Sequence, residues 1–186
     1  MRKFLFSILI VLIFSSALNA QQSAGLAFAD KPAILTSIGQ SADLEMVRVL
    51  LTRARIPFKM DALIQAPALD PGDKTLILVV GGSSKGLGAA GISVEDEMKR
   101  SQDLVKKARE LGMKIIVAHI GGEARRGSLS DGFINFAVPI ADYVLVVSEG
   151  DKDNLFANLA RDAKIPYKKV DKISEIGTPL VAAFKE

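Results

Sequence analysis

The chain reads as an α/β protein built on a doubly wound parallel sheet, flavodoxin-like or Rossmann-like, with five or six strands. Three observations lead there. Apolar, β-branched runs recur along the sequence, each followed by a stretch with helical spacing. The strongest run, Thr75 to Val80, is apolar on both faces, as a central parallel strand must be. Four loops of small and polar residues come directly after such runs, at 36–41, 81–88, 119–127 and 148–151. Strands of an open parallel sheet end on the same side. The four loops therefore meet on one edge, the edge where α/β sheets bind ligands.

The elements follow in order. Ala33 to Ile38 reads as a buried strand. Ser41 to Ala54 has helical spacing, with Leu44, Val47, Leu50 and Leu51 on one face and Ser41 as its N-cap. Ile56-Pro57 stops it, and Phe58 to Leu63 makes a short edge strand. Pro67 to Asp73 is a loop of turn residues. Thr75 to Val80 is the central strand. A long helix spans Val94 to Leu111, and Gly112 ends it. Lys114 to His119 is the next buried strand. Ser130 to Val138 is a short helix broken at Pro139, and Tyr143 to Val147 is another strand. Asp151 caps a helix to about Ala163. Tyr167 to Val170 is the last edge strand, and Gly177 to Lys185 is a tail helix. Right-handed crossovers leave few topologies, of which a flavodoxin-like order 2-1-3-4-5 is favoured, with room for a sixth strand at the far edge. The switch point then lies between loops 36–41 and 81–88. Residues 33–186 form one domain on this reading, and 21–32 a loose leader.

The first twenty residues read as a signal peptide. Arg2 and Lys3 precede an apolar stretch from Phe4 to Phe14, and Leu18-Asn19-Ala20 is a relaxed cleavage site. The apolar stretch is short for a membrane span. Cleavage after Ala20 makes the protein exported, periplasmic or extracellular. The absence of cysteine leaves no disulfide or lipid attachment point. Without Arg2 and Lys3, the 24 basic residues fall to 22 against 21 acidic ones, and the formal charge falls from +3 to +1. That balance offers no basic stripe for nucleic acid.

The loops carry the chemistry. In Thr36-Ser37-Ile38-Gly39-Gln40-Ser41, hydroxyls and amides gather at the start of a helix, which suits an anion. The loop resembles the phosphate loop of flavodoxins. Flavin does not fit: there is no tryptophan, and neither tyrosine falls in a ligand loop. No cofactor is expected. In Gly81-Gly82-Ser83-Ser84-Lys85-Gly86-Leu87-Gly88 the glycines admit a close backbone approach and Lys85 adds a mobile charge. Gly82, Gly86 and Gly88 match the turn of short-chain dehydrogenases, but that family has it after its first strand and adds a Tyr-x-x-x-Lys absent here. Gly82 to Gly86 also spells the G-x-S-x-G of α/β hydrolases, yet the sole histidine, His119, is on the next strand in sequence and does not follow the last one. Arg125 and Arg126 offer forks that match carboxylate or phosphate oxygens. One histidine and no cysteine give no metal-ligand spacing. The expected ligand set is Ser37, Gly39, Gln40, Ser41, Gly82, Ser83, Ser84, Lys85, Gly86, His119, Arg125 and Arg126.

The blocks Thr36–Asp43, Gly81–Gly91 and His119–Gly127 resemble the signature blocks of a family of small exported bacterial proteins of unknown function. The resemblance spans nearly the whole mature chain and implies that these loops are the family's shared surface. Three functions compete. The first is an exported binding module for a small anionic solute, feeding a membrane transporter or sensor. The second is a hydrolase or transferase using Ser84 or His119. The third is an interaction module whose loops dock a membrane partner. A single lobe encloses a ligand less completely than the two lobes of classical periplasmic binders.

Overall fold

A computed structural model describes residues 27–186. The leader read over residues 1–20 lies outside the described residues. Six parallel strands form one sheet in the order β2-β1-β3-β4-β5-β6. They are β1 Ala33–Ile38, β2 Phe58–Met60, β3 Thr75–Val80, β4 Lys114–His119, β5 Tyr143–Val147 and β6 Tyr167–Val170. The α-helices are α1 Leu44–Arg53, α2 Ser84–Ala90, α3 Val94–Glu110, α4 Ser128–Ala137, α5 Leu155–Asp162 and α6 Gly177–Ala182. None of these is long and apolar enough to cross a membrane.

Every residue of β1 and β3 is buried, because helices cover both faces. Alternate side chains feed two cores. On one face Ile34, Leu76, Leu78, Val80 and Val117 pack against Leu104 of α3, Phe133 of α4 and Phe156 of α5. On the other, Leu35, Ile77, Val79 and Ile116 pack against Val47 and Leu51 of α1 and Leu180 of α6. The expected doubly wound order is the observed one, with the sixth strand present. β1 pairs with β2 on one side and β3 on the other. The switch point therefore lies between the loops after β1 and β3.

Several boundaries differ from the sequence reading, each for a local reason. α1 begins at Leu44, not Ser41: residues 41–43 form a tighter turn, with the Leu44 amide on the Ser41 carbonyl. Ser41 is not the N-cap. β2 stops at Met60, where Asp61 turns the chain and accepts from the Leu63 amide at 2.9 Å. The Gly81–Gly88 loop is half helix, since α2 starts at Ser84 and Ser83 caps it by accepting from the Gly86 amide. Asp151 is not the N-cap either: α5 starts at Leu155 with Asn154 at that position, and the Asp151 carboxylate instead reaches in to accept from the Phe156 amide.

The described part of the leader is not loose. Ala29 is fully buried and bridges in parallel to Phe184. The Phe28 and Ala29 amides both donate to the Ala183 carbonyl, and the Lys185 amide donates to Ala29. The Phe28 ring meets Tyr143 edge-on at 6.0 Å, and Lys185 pairs with Asp30 at 2.9 Å. Apolar burial of Phe28 and Ala29 against the second core holds the segment there.

Candidate functional site

At the switch point the β1 and β3 loops pack on each other, and the glycines make that approach possible. A Cβ on Gly39 would lie 2.6 Å from the Gly81 carbonyl oxygen, and one on Gly82 would lie 2.6 Å from Leu129. The Gly82 amide is already taken by the Ser130 hydroxyl at 2.9 Å, and the Ser83 amide by the Gly39 carbonyl at 2.8 Å. Gly86 sits where α2 touches the backbone of Gln40, and a Cβ there would be 2.0 Å from the Gln40 carbonyl oxygen. Gly39 and Gly82 thus serve the protein's own packing, a correction to their reading as a ligand cradle.

A residue that the loop-by-loop reading missed completes the corner. Glu97 of α3 is fully buried and accepts from the Gly39 amide at 2.9 Å and the Gln40 side-chain amide at 3.0 Å. The Glu97 carboxylate stands where an anion held by the first loop would sit. Arg100 grips it through Nε at 2.7 Å and Nη2 at 2.9 Å, and also donates to the carbonyls of Ile64 and Ser37. Buried charge of this kind is tolerated only when paired and fully hydrogen-bonded, as here. One signal was available: Glu97, Arg100 and Ser101 are in phase with Leu104 and Ala108 on the buried face of α3.

In front of this corner lies an open cleft of about 660 Å³, lined by Gln40, Ser41, Ala42, Leu44, Glu45, Ala62, Ser83, Lys85, Gly86, Ala89, Ala90 and Arg125. Six expected residues meet there: Gln40, Ser41, Ser83, Lys85, Gly86 and Arg125. Lys85 is exposed and makes no ion pair among the described residues. Arg125 approaches Asp43 at 3.6 Å, and its guanidinium makes no hydrogen bond among the described residues. Glu45, the one acidic residue of the lining, is engaged by Arg48 at 2.6 Å.

The other expected residues lie elsewhere. Ser37 is 1% exposed, beneath the loop, where its hydroxyl accepts from the Ser41 amide at 3.1 Å. Ser84 is exposed on α2 outside the cleft lining. His119 is fully enclosed. Its Nδ1 lies 2.8 Å from the Val80 carbonyl, which can only accept, so Nδ1 carries the proton. Nε2 has no hydrogen-bond partner, and the ring lies against Phe156, tilted by 33° with centroids 5.0 Å apart. Burial holds the imidazole below its ordinary pKa, against a weaker opposing pull from the Val80 carbonyl. No hydrogen bond joins His119 to Ser84, so the residues do not form a nucleophile-base pair. Arg126 is consumed structurally: it donates to Asp131 at 2.8 Å, to both Asp153 oxygens at 2.9 and 2.8 Å, and to the Gly150 carbonyl at 2.6 Å. Its guanidinium also lies 5.8 Å from the centre of the Phe156 ring. The hydrogen bonds from Arg126 hold the Asp153 carboxyl down to about 2. Arg126 therefore ties α4 to the start of α5 and has no free fork for a ligand.

Comparison with known proteins adds a family. A family model described as a domain of unknown function (DUF6305) matches residues 30–184. The chain belongs to that family. No curated protein shows significant sequence similarity to it. A solved structure from Bacteroides fragilis, described as a candidate acylhydrolase, is similar at 10% identity and a TM-score of 0.34, over 81% of this chain and 74% of that one. A likeness of that size carries no argument about activity.

Proposed function

We propose that this member of the family binds a small anionic solute, bearing a phosphate or a carboxylate, in the cleft at the switch point. One observation carries the reading. Lys85 of α2 and Arg125 of the loop after β4 converge on one cleft, where Lys85 has no ion pair among the described residues and Arg125 meets Asp43 only at 3.6 Å, without a hydrogen bond. Two such cations at a concave, half-apolar site attract an anion and can hydrogen-bond it. Ser41 and Ser83 add hydroxyls at the same wall. Binding here is by side chains. The Gly39 amide, which a phosphate loop would offer, is already bonded to Glu97.

We further place the protein outside the cytoplasm, where it hands its solute to a membrane transporter or sensor. That part rests on the leader read at residues 1–20. Thermal shift with inorganic phosphate and small carboxylates tests the binding. At least one anion is expected to raise the melting temperature, and Lys85→Ala or Arg125→Ala to abolish the rise. Arg126→Ala, although less stable, should keep it. No shift from a broad anion screen sinks the reading.

A further inference from the structure

We propose that the cleft selects solutes carrying a hydrogen-bond donor, a hydroxyl or an amine, beside the anionic group, and that Gln40 makes the selection with its orientation fixed by Glu97. The inference rests on the binding reading above and names the solute class within it.

The argument starts from the Gln40 amide. Its Nε2 donates to the Ala62 carbonyl at 3.0 Å and to Glu97 Oε1 at 3.0 Å. Both partners are acceptors only, so a flipped amide would set oxygen against two oxygens. The orientation is fixed by chemistry, and both N–H groups are used. Oε1 receives no hydrogen bond among the described residues, and it is not among the enclosed polar atoms. It is left as an open acceptor on a residue of the cleft wall.

The support behind it is rigid. The Gln40 backbone is left-handed, at φ 59°, and α2 presses on its carbonyl at Gly86. Glu97 is itself enclosed and does not line the cleft, so it acts only through Gln40. Arg100 and the Gly39 amide hold the carboxylate in place. The wall therefore offers two cations and a fixed acceptor. The serine hydroxyls can donate or accept and do not discriminate. A plain anion leaves the Gln40 oxygen to water. A hydroxylated or aminated anion satisfies it.

Calorimetric titration of the purified protein with matched probes tests this: lactate against propionate, and glycerol 3-phosphate against propyl phosphate. The hydroxylated member of each pair is expected to bind roughly three- to tenfold more tightly, the range of one neutral hydrogen bond. Gln40→Asn keeps a residue tolerant of the left-handed backbone but is too short to hold the same contacts, and it should bring the ratio to about one. Glu97→Gln frees the amide to flip and should do the same. If that variant does not fold, Gln40→Asn decides. Arg126→Ala should keep the full ratio. A wild-type ratio near one overturns the inference and leaves anion binding standing. A ratio that survives Gln40→Asn overturns the assignment to Gln40. Failure of all four probes to bind overturns both.

Discussion

Two glycines on one turn of α2 should respond to alanine with opposite signs. Gly86 and Gly88 both lie inside a helix, where replacing glycine by alanine is intrinsically worth about 0.5–1 kcal/mol. At Gly88 nothing lies within 4 Å of an added Cβ, so Gly88→Ala should gain that amount. At Gly86 the Cβ would fall 2.0 Å from the Gln40 carbonyl oxygen and 3.0 Å from its carbon, against an optimal separation of about 3.5 Å or more. Both groups are backbone, and neither can rotate away. The loop carrying Gln40 must shift or α2 must tilt, which overpacking data put at about 1–3 kcal/mol. The helix gain is common to both variants and cancels between them, so Gly86→Ala should be less stable than Gly88→Ala by about 1–3 kcal/mol. Urea denaturation at constant m-value reads this directly. Equal or greater stability of Gly86→Ala relative to Gly88→Ala would refute the close packing of α2 on the first loop.

Further outcomes follow from the same geometry. His119 is held below its ordinary pKa of 6.5, so above pH 6.5 both native and unfolded chains carry it neutral and its environment costs nothing. As pH falls below 6.5 the unfolded chain takes the proton first, and stability declines until the native-state value is reached. His119→Asn, compared with wild type by denaturant melts from pH 7.5 to 5, should show a shallower decline. Arg126→Ala strands Asp131 and the Gly150 carbonyl and should cost about 2 kcal/mol or more, with the largely exposed Asp153 adding little. Lys85→Ala, at an exposed position without an ion pair among the described residues, should stay within about 0.5 kcal/mol in the same melts. N-terminal sequencing of exported protein is expected to begin at Gln21, and a chain still starting at Met1 would contradict the leader reading.

The strands were the legible part of this chain. Thr75–Val80 and Lys114–His119 match their sequence-read bounds because strands buried on both faces are nearly continuous apolar runs, the first bounded by Lys74 and Gly81 and the second with Lys114 and His119 at its own ends. The helix Ser84–Ala90 was hidden because Gly86 and Gly88 read as loop, although Gly86 is there to let α2 touch Gln40. The site was half legible. Local composition pointed to Lys85, Arg125, Gln40, Ser41 and Ser83, which do share a cleft. It could not separate Arg125 from its neighbour Arg126, since the partners that consume Arg126 lie 5 and 27 residues away in sequence. Glu97 escaped for the same reason, being 58 residues from the amide it holds.

The pairing of residues 28–30 with 183–185 has a mechanical consequence. Ala29 and Phe184 run in parallel, so tension drawing the two chain ends apart acts along the bonds' shared strand direction and in opposite senses. That is shear, in which the three backbone hydrogen bonds and the Lys185–Asp30 pair yield together and not one after another. Ala33, the first residue of β1, sits just behind this clamp and pairs in register with Thr75 of β3. A pull on the ends thus meets the clamp before it reaches the sheet. The cleft lies at the opposite, carboxyl edge, away from the line of force.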